Sequence, residues 1–150
     1  MTRFGLVAIL LCILLVPAVG RSESATTIPQ SALIQPADLA ADIGAGKAPA
    51  ILQVGFRTLY DQSHIPGAIY AGPTSNDEGI EALRKQAKAL PKDKPLVIYC
   101  GCCPWTRCPN VASAWKELSA EGFSQLRVLY LESNFGADWV DKGYPATHGS

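Results

Sequence analysis

Leu96-Val97-Ile98-Tyr99-Cys100-Gly101-Cys102-Cys103-Pro104-Trp105-Thr106-Arg107-Cys108-Pro109-Asn110 is three things in succession. Leu96 to Tyr99 is a short apolar run of strand length, preceded by Pro95. Four thiols within nine positions follow, interrupted by Gly101 and Pro104. Pro109 then suits the first turn of a helix, where its missing N–H costs nothing. A strand, a thiol-bearing loop and a helix in this order predict a cysteine at the carboxyl end of a strand. Thiols spread through a core are usually packing, whereas thiols gathered on one loop usually do chemistry.

Working outward, the flanks repeat the pattern. After Pro109, Val111, Trp115 and Leu118 form an apolar stripe that Gly122 closes, and Leu126 to Leu131 is a further strand. Phe135 to Lys142 reads as a last helix ending at Gly143. On the amino side, Thr74, Ser75 or Asn76 caps a helix with Asp77 and Glu78 in its first turn. That helix carries Ile80, Leu83, Ala87 and Leu90 on one face and stops at Pro91. Ala50 to Val54 and Ala68 to Ala71 are strands, with a helical turn over Arg57 to Ser63 between them. Pro36-Ala37-Asp38 opens a short helix ended by Gly44 and Gly46. Strands alternating with helices predict the α/β class, a mainly parallel sheet with helices on both faces. Ligands bind such sheets at the carboxyl ends of the strands, where Cys100 falls.

The remaining cysteine, Cys12, lies in a segment with the order of a secretory signal: Arg3, an apolar stretch from Phe4 to Val16, then Pro17-Ala18-Val19-Gly20. The apolar centre is shorter than the ~20 residues that span a bilayer. Leu11 before Cys12 does not fit a lipid-attachment site. The expected division is a signal peptide over 1–20, a polar lead-in over 21–31, one domain over 32–146 and a tail over 147–150. The expected location is outside the cytoplasm, periplasmic or secreted, with no membrane attachment after cleavage. The chain has thirteen basic and thirteen acidic residues; without Arg3 the balance is twelve to thirteen, near minus one. No basic stripe or charge block points to nucleic acid. Outside the cytoplasm, close thiols oxidise unless a metal, a substrate or a reductant protects them. A disulfide inside so short a loop would stabilise little, because the entropy it removes grows with the span it closes. Structure alone is therefore a poor reason for the cluster.

Several blocks resemble the rhodanese-like (sulfurtransferase) family. Ile51-Leu52-Gln53-Val54-Gly55 through Leu59-Tyr60-Asp61-Gln62-Ser63-His64-Ile65-Pro66-Gly67-Ala68-Ile69 is similar to its L-x-D-x-R…E-Y-x-x-G-H-I-P-G-A block, with the spacing to His-Ile-Pro-Gly-Ala kept. Leu96 to Cys100 resembles the strand that delivers the family's nucleophilic cysteine, and Ala112 through Gly122-Phe123 the helix after it. Trp139…Gly143-Tyr144-Pro145 resembles the closing W-x-x-x-G-x-P. The likeness covers roughly residues 32–146, and the thiol loop is similar to one found in small exported rhodanese-like proteins. Gln53 stands where the family usually has Asp, Gly55 where it has Arg, and Ser63 where it has Gly; the first two read as one polar pair replaced as a unit. The loop from Cys100 to Pro109 is several residues longer than the usual sulfurtransferase loop.

The resemblance implies a sulfurtransferase of the thiosulfate sulfurtransferase type, with Cys100 as the nucleophile that carries a persulfide. Backbone N–H groups and a helix N-terminus around Cys100 favour its thiolate. Cys103, in C-x-x-C spacing, is the first choice for a resolving or relay thiol, with Cys102 and Cys108 behind it. Arg107 is a candidate for holding an anionic donor. Gly101, Pro104, Trp105 and Thr106 complete the loop, Trp105 as a shield for the sulfur, a partner contact or simple packing. The alternative is a catalytically inactive module of this fold that binds a metal, or cycles a disulfide, through Cys100, Cys102, Cys103 and Cys108. No cofactor is expected from the leading reading; zinc, copper or an iron–sulfur cluster belongs to the alternative. The expected partners are a small sulfur-donor anion or thiol acceptor, and a redox partner protein. A phosphatase wants five residues between cysteine and arginine; Cys100 has six before Arg107 and Cys102 has four, so neither fits. His64 is expected to hydrogen-bond backbone near the sheet, Trp115 to be core, and His148 to do nothing.

Overall fold

The computed structural model describes residues 28–149. The expected signal over 1–20 and most of the lead-in lie outside the described residues. Five strands form one sheet, all parallel: β1 (Leu33–Ile34), β2 (Ala50–Gln53), β3 (Ile69–Tyr70), β4 (Leu96–Tyr99) and β5 (Leu126–Leu129), in the order β1-β5-β4-β2-β3. Four helices connect them: α1 (Pro36–Gly44), α2 (Arg57–Gln62), α3 (Asp77–Ala87) and α4 (Pro109–Ala120). Proline opens α1 and α4, and the Asn76 side chain caps α3 by accepting the Gly79 N–H at 2.8 Å.

β4 is central and buried at every position, which explains why it reads as a continuous apolar run. Alternation sends Leu96, Ile98 and Cys100 to one face, with Leu83 and Ala87 of α3 and Val111, Ala114 and Leu118 of α4. Val97 and Tyr99 face the opposite layer, with Leu39, Ile65, Phe135 and the fully buried Trp139. The period of two thus decides that the Cys100 side chain faces the start of α4. The pairing Gln53↔Tyr99 sets the end of β2 beside the end of β4.

Some expectations shift. β3 covers only Ile69–Tyr70, β5 stops at Leu129, and the last helix is a single wide turn over Gly136–Val140. β1 was not foreseen, because two residues carry no period. Ile28 and Ala32, at the junction of the expected lead-in, are buried on the core. Trp115 is half-buried and packs at the edge of the α4 layer. Residues 147–149, read as a tail, are tied down: Thr147 pairs with His64 through two backbone hydrogen bonds of 2.9 and 2.8 Å, and the Gly149 N–H donates to the Asp61 carbonyl. Backbone pairing of this kind leaves no trace in side-chain pattern. No helix among the described residues is long and apolar enough to cross a membrane.

Candidate active site

Cys100 follows the last residue of β4 and is 1% exposed. Its surroundings are built from the ends of β2 and β4 and the start of α4. Gln53, buried at the end of β2, donates from Nε2 to the Cys100 carbonyl (2.8 Å) and accepts the Gly55 N–H on Oε1 (3.2 Å). One neutral amide thus satisfies a carbonyl and an N–H that would otherwise be buried unpaired. A β-carbon on Gly55 would stand 2.7 Å from the Cys100 Sγ, so no side chain fits there. That is the physical content of the paired departure at positions 53 and 55.

Asn110, in the first turn of α4, sends Nδ2 toward the Cys100 Sγ at 3.5 Å while its Oδ1 accepts the Ser75 N–H at 2.9 Å. Thr74 donates from Oγ1 to the Asn110 carbonyl at 2.6 Å, and its N–H bonds the Val54 carbonyl. Both residues are buried. They tie the end of β2 to the start of α4 around the sulfur. Sequence reading gave Asn110 no role; its position one residue after a helix-opening proline was the available signal.

Gly101 has φ +100°, a left-handed conformation that favours glycine. The turn brings the next thiol back: the Cys102 Sγ is 3.3 Å from that of Cys100, and the Cys103 Sγ is 3.0 Å from that of Cys102. The thiol in hydrogen-bond range of Cys100 through the turn is thus Cys102, whereas Cys103 is one contact further out. Cys108 is buried. Its thiol is pushed up in pKa, first by hydrogen bonding to Cys100 and then by burial. Burial also pushes Cys102 up to about 12 and raises Cys103. All four loop cysteines are free thiols. The Cys108 Sγ lies within 4.8 Å of those of Cys100 and Cys102.

Trp105 is half-buried, its N–H bonded to the Leu131 carbonyl and its ring near Tyr130. It and the exposed Thr106 and Arg107 form a short turn that opens after Pro104, and Arg107 does not line the cleft at Cys100.

That cleft, of roughly 500 Å³, lies at the carboxyl ends of β2 and β4. Tyr99, Cys100, Gly101 and Cys102 form one wall, Phe135 and Val140 another, and Leu59, Gln62, Ser63 and His148 a third. No lysine or arginine lines it among the described residues. The Ser63 hydroxyl is buried without a hydrogen-bond partner there. His148, expected to be idle, lines the cleft and is fixed by Nδ1 on the Gln62 carbonyl at 2.7 Å. His64 does what was expected of it: Nδ1–H donates to the Tyr60 carbonyl at 2.8 Å, and the ring stacks on Tyr60 at 3.8 Å. A second hollow, of roughly 430 Å³ around Pro49, Pro95 and Arg127, lies at the amino ends of the strands and is lined by no cysteine.

A buried cysteine closes the central strand of a five-stranded parallel sheet, with a cleft at its sulfur, in an α/β domain. The profile of the rhodanese-like domain matches residues 35–133, and the chain belongs to that family. Solved structures agree in fold. A Bacillus halodurans protein superposes with a TM-score of 0.61 at 24% identity, covering 79% of this chain and 77% of its own. The rhodanese-like domain of an Anabaena sp. protein gives 0.57 at 24%, covering 78% and 79%. A full-length Lactobacillus plantarum protein gives 0.60 at 18%, covering 79% and 88%. No curated protein matches the sequence.

Proposed function

We propose that this chain is a sulfurtransferase that carries sulfane sulfur as a persulfide on Cys100. The observation that carries the reading is the setting of the Cys100 sulfur: at the cleft, against the bare face of Gly55, with the Asn110 amide directed at it and the Cys108 sulfur within 4.8 Å. In the first step the Cys100 thiolate attacks the outer sulfur of a donor R–S–S⁻, forming Cys100–S–S⁻ and expelling RS⁻. In the second, an acceptor thiolate attacks the outer sulfur and returns Cys100 as thiolate. The neighbouring Cys102, exposed and 3.3 Å away, is the first internal acceptor.

The cleft narrows the donor. Its walls are largely apolar and carry no fixed cation, so an uncharged or weakly charged organic carrier suits them better than the thiosulfate dianion. The signal-like order of residues 1–20 supports a location outside the cytoplasm for this activity.

Intact-mass analysis of reduced protein treated with an organic persulfide tests the assignment. One added sulfur atom that Cys100→Ser abolishes is the expected result. Undiminished loading or transfer by Cys100→Ser would refute it.

A further inference from the structure

Three sulfur atoms converge beside the cleft. The Sγ atoms of Cys100, Cys102 and Cys108 all lie within 4.8 Å of one another. Three separate backbone features bring them together: the end of β4, the left-handed turn at Gly101 and the start of α4. Three sulfurs bonded at about 2.3 Å to one ion in a plane stand about 4 Å apart, which this spacing accommodates. No histidine, aspartate or glutamate among the described residues joins the group, and Cys103 stays outside it.

We propose that Cys100, Cys102 and Cys108 form a three-thiolate site for a soft monovalent cation, copper(I). Thiolates are soft ligands and select copper(I) among the ions available to such a donor set. Closed zinc sites take four ligands. A fourth sulfur would have to come from Cys103, whose Sγ lies 3.0 Å from that of Cys102 but outside the group of three. Copper(I) needs no fourth ligand. Binding releases protons: one Cu⁺ and three thiols give a complex of net charge minus two and three H⁺.

The surroundings suit that product. Cys108 is the N-cap of the twelve-residue α4, so the anionic complex meets the positive end of a helix. Asn110 Nδ2 approaches the Cys100 sulfur at 3.5 Å, the kind of outer hydrogen bond that orients a metal ligand. Cys102 is exposed and gives the ion a way in, while Cys100 and Cys108 close the buried side.

Anaerobic titration of the reduced protein with copper(I), against a chromophoric copper(I) chelator, tests the site, with X-ray absorption to count sulfur neighbours. One ion per chain with three sulfur neighbours is expected. Cys102→Ser and Cys108→Ser should each weaken binding by more than the roughly hundredfold that loss of an outer hydrogen bond costs, and Cys103→Ser should leave it unchanged. Should Cys108→Ser fail to fold, the exposed Cys102 decides. Four sulfur neighbours, equal weakening by Cys103→Ser, preferred one-to-one binding of zinc, or no stoichiometric uptake would each overturn the site. Copper uptake by protein that accepts no sulfur supports this site and removes the transferase reading, whereas sulfur uptake without copper uptake does the reverse.

Discussion

Gly55 lies so close to Cys100 that a β-carbon there would stand 2.6 Å from the Cys100 carbonyl oxygen and 2.7 Å from its sulfur. The Gln53↔Tyr99 register sets this approach, and the Gln53 side chain holds it by bonding both residues. Because the contact involves backbone on one side, a substitution cannot be absorbed by a rotamer change alone.

Gly55→Ala should therefore displace the sulfur. We expect a loss of about 1–3 kcal/mol in stability from overpacking. Sulfur loading should fall by about a hundredfold, the usual consequence of a reacting atom misplaced by about 1 Å. Chemical denaturation and mass-monitored persulfide formation read the two effects; normal loading in a folded variant would show that the contact does not position the nucleophile.

Gln53→Leu should cost stability before chemistry. It leaves the Cys100 carbonyl and the Gly55 N–H buried without partners, about 1–3 kcal/mol for each. Urea unfolding should show the midpoint shifting down with the slope unchanged. A variant as stable as the parent would mean that the amide is not needed to close the β2–β4 ends.

Asn110 separates two roles. Asn110→Asp keeps the acceptor for the Ser75 N–H but puts a carboxylate where the donor faced the sulfur. Hydrogen bonds to charged groups are worth about 1.5–3 kcal/mol, so turnover should drop about tenfold to a hundredfold while most stability is kept. Asn110→Ala should lose both. Equal turnover in Asn110→Asp and the parent would remove Asn110 from the chemistry.

The absence of lysine and arginine from the cleft, among the described residues, makes a kinetic forecast. Loading from an organic persulfide should vary little with ionic strength, because no fixed cation steers the donor. Gln62→Lys should raise use of thiosulfate relative to the organic donor. A steep salt dependence in the parent would point to a cation outside the cleft, Arg107 first.

His148 should affect binding more than reaction. Its ring lines the cleft from a segment held by backbone pairing to His64 and Asp61. His148→Ala removes one ordinary hydrogen bond, about 0.5–1.5 kcal/mol, and should raise KM with kcat nearly kept. A fall in kcat with KM fixed would assign it to the transition state instead.

The sequence by itself determined the parallel α/β class, the strand that ends in Cys100, the helix that opens at Pro109 and the family. Those features rest on local signals: an apolar run bounded by proline, a stripe of period near four, a run of motif residues. Tertiary structure alone decided which thiols meet. Cys102 reaches Cys100 only because Gly101 turns left-handed, and Cys108 only because α4 begins beneath the end of β4. It also decided that Gln53, Gly55, Thr74, Asn110 and His148 surround the sulfur or its cleft. Those residues lie up to 95 positions apart, from 53 to 148. Strand register and helix placement arise from packing the whole core at once, so spacing along the chain carries no measure of them.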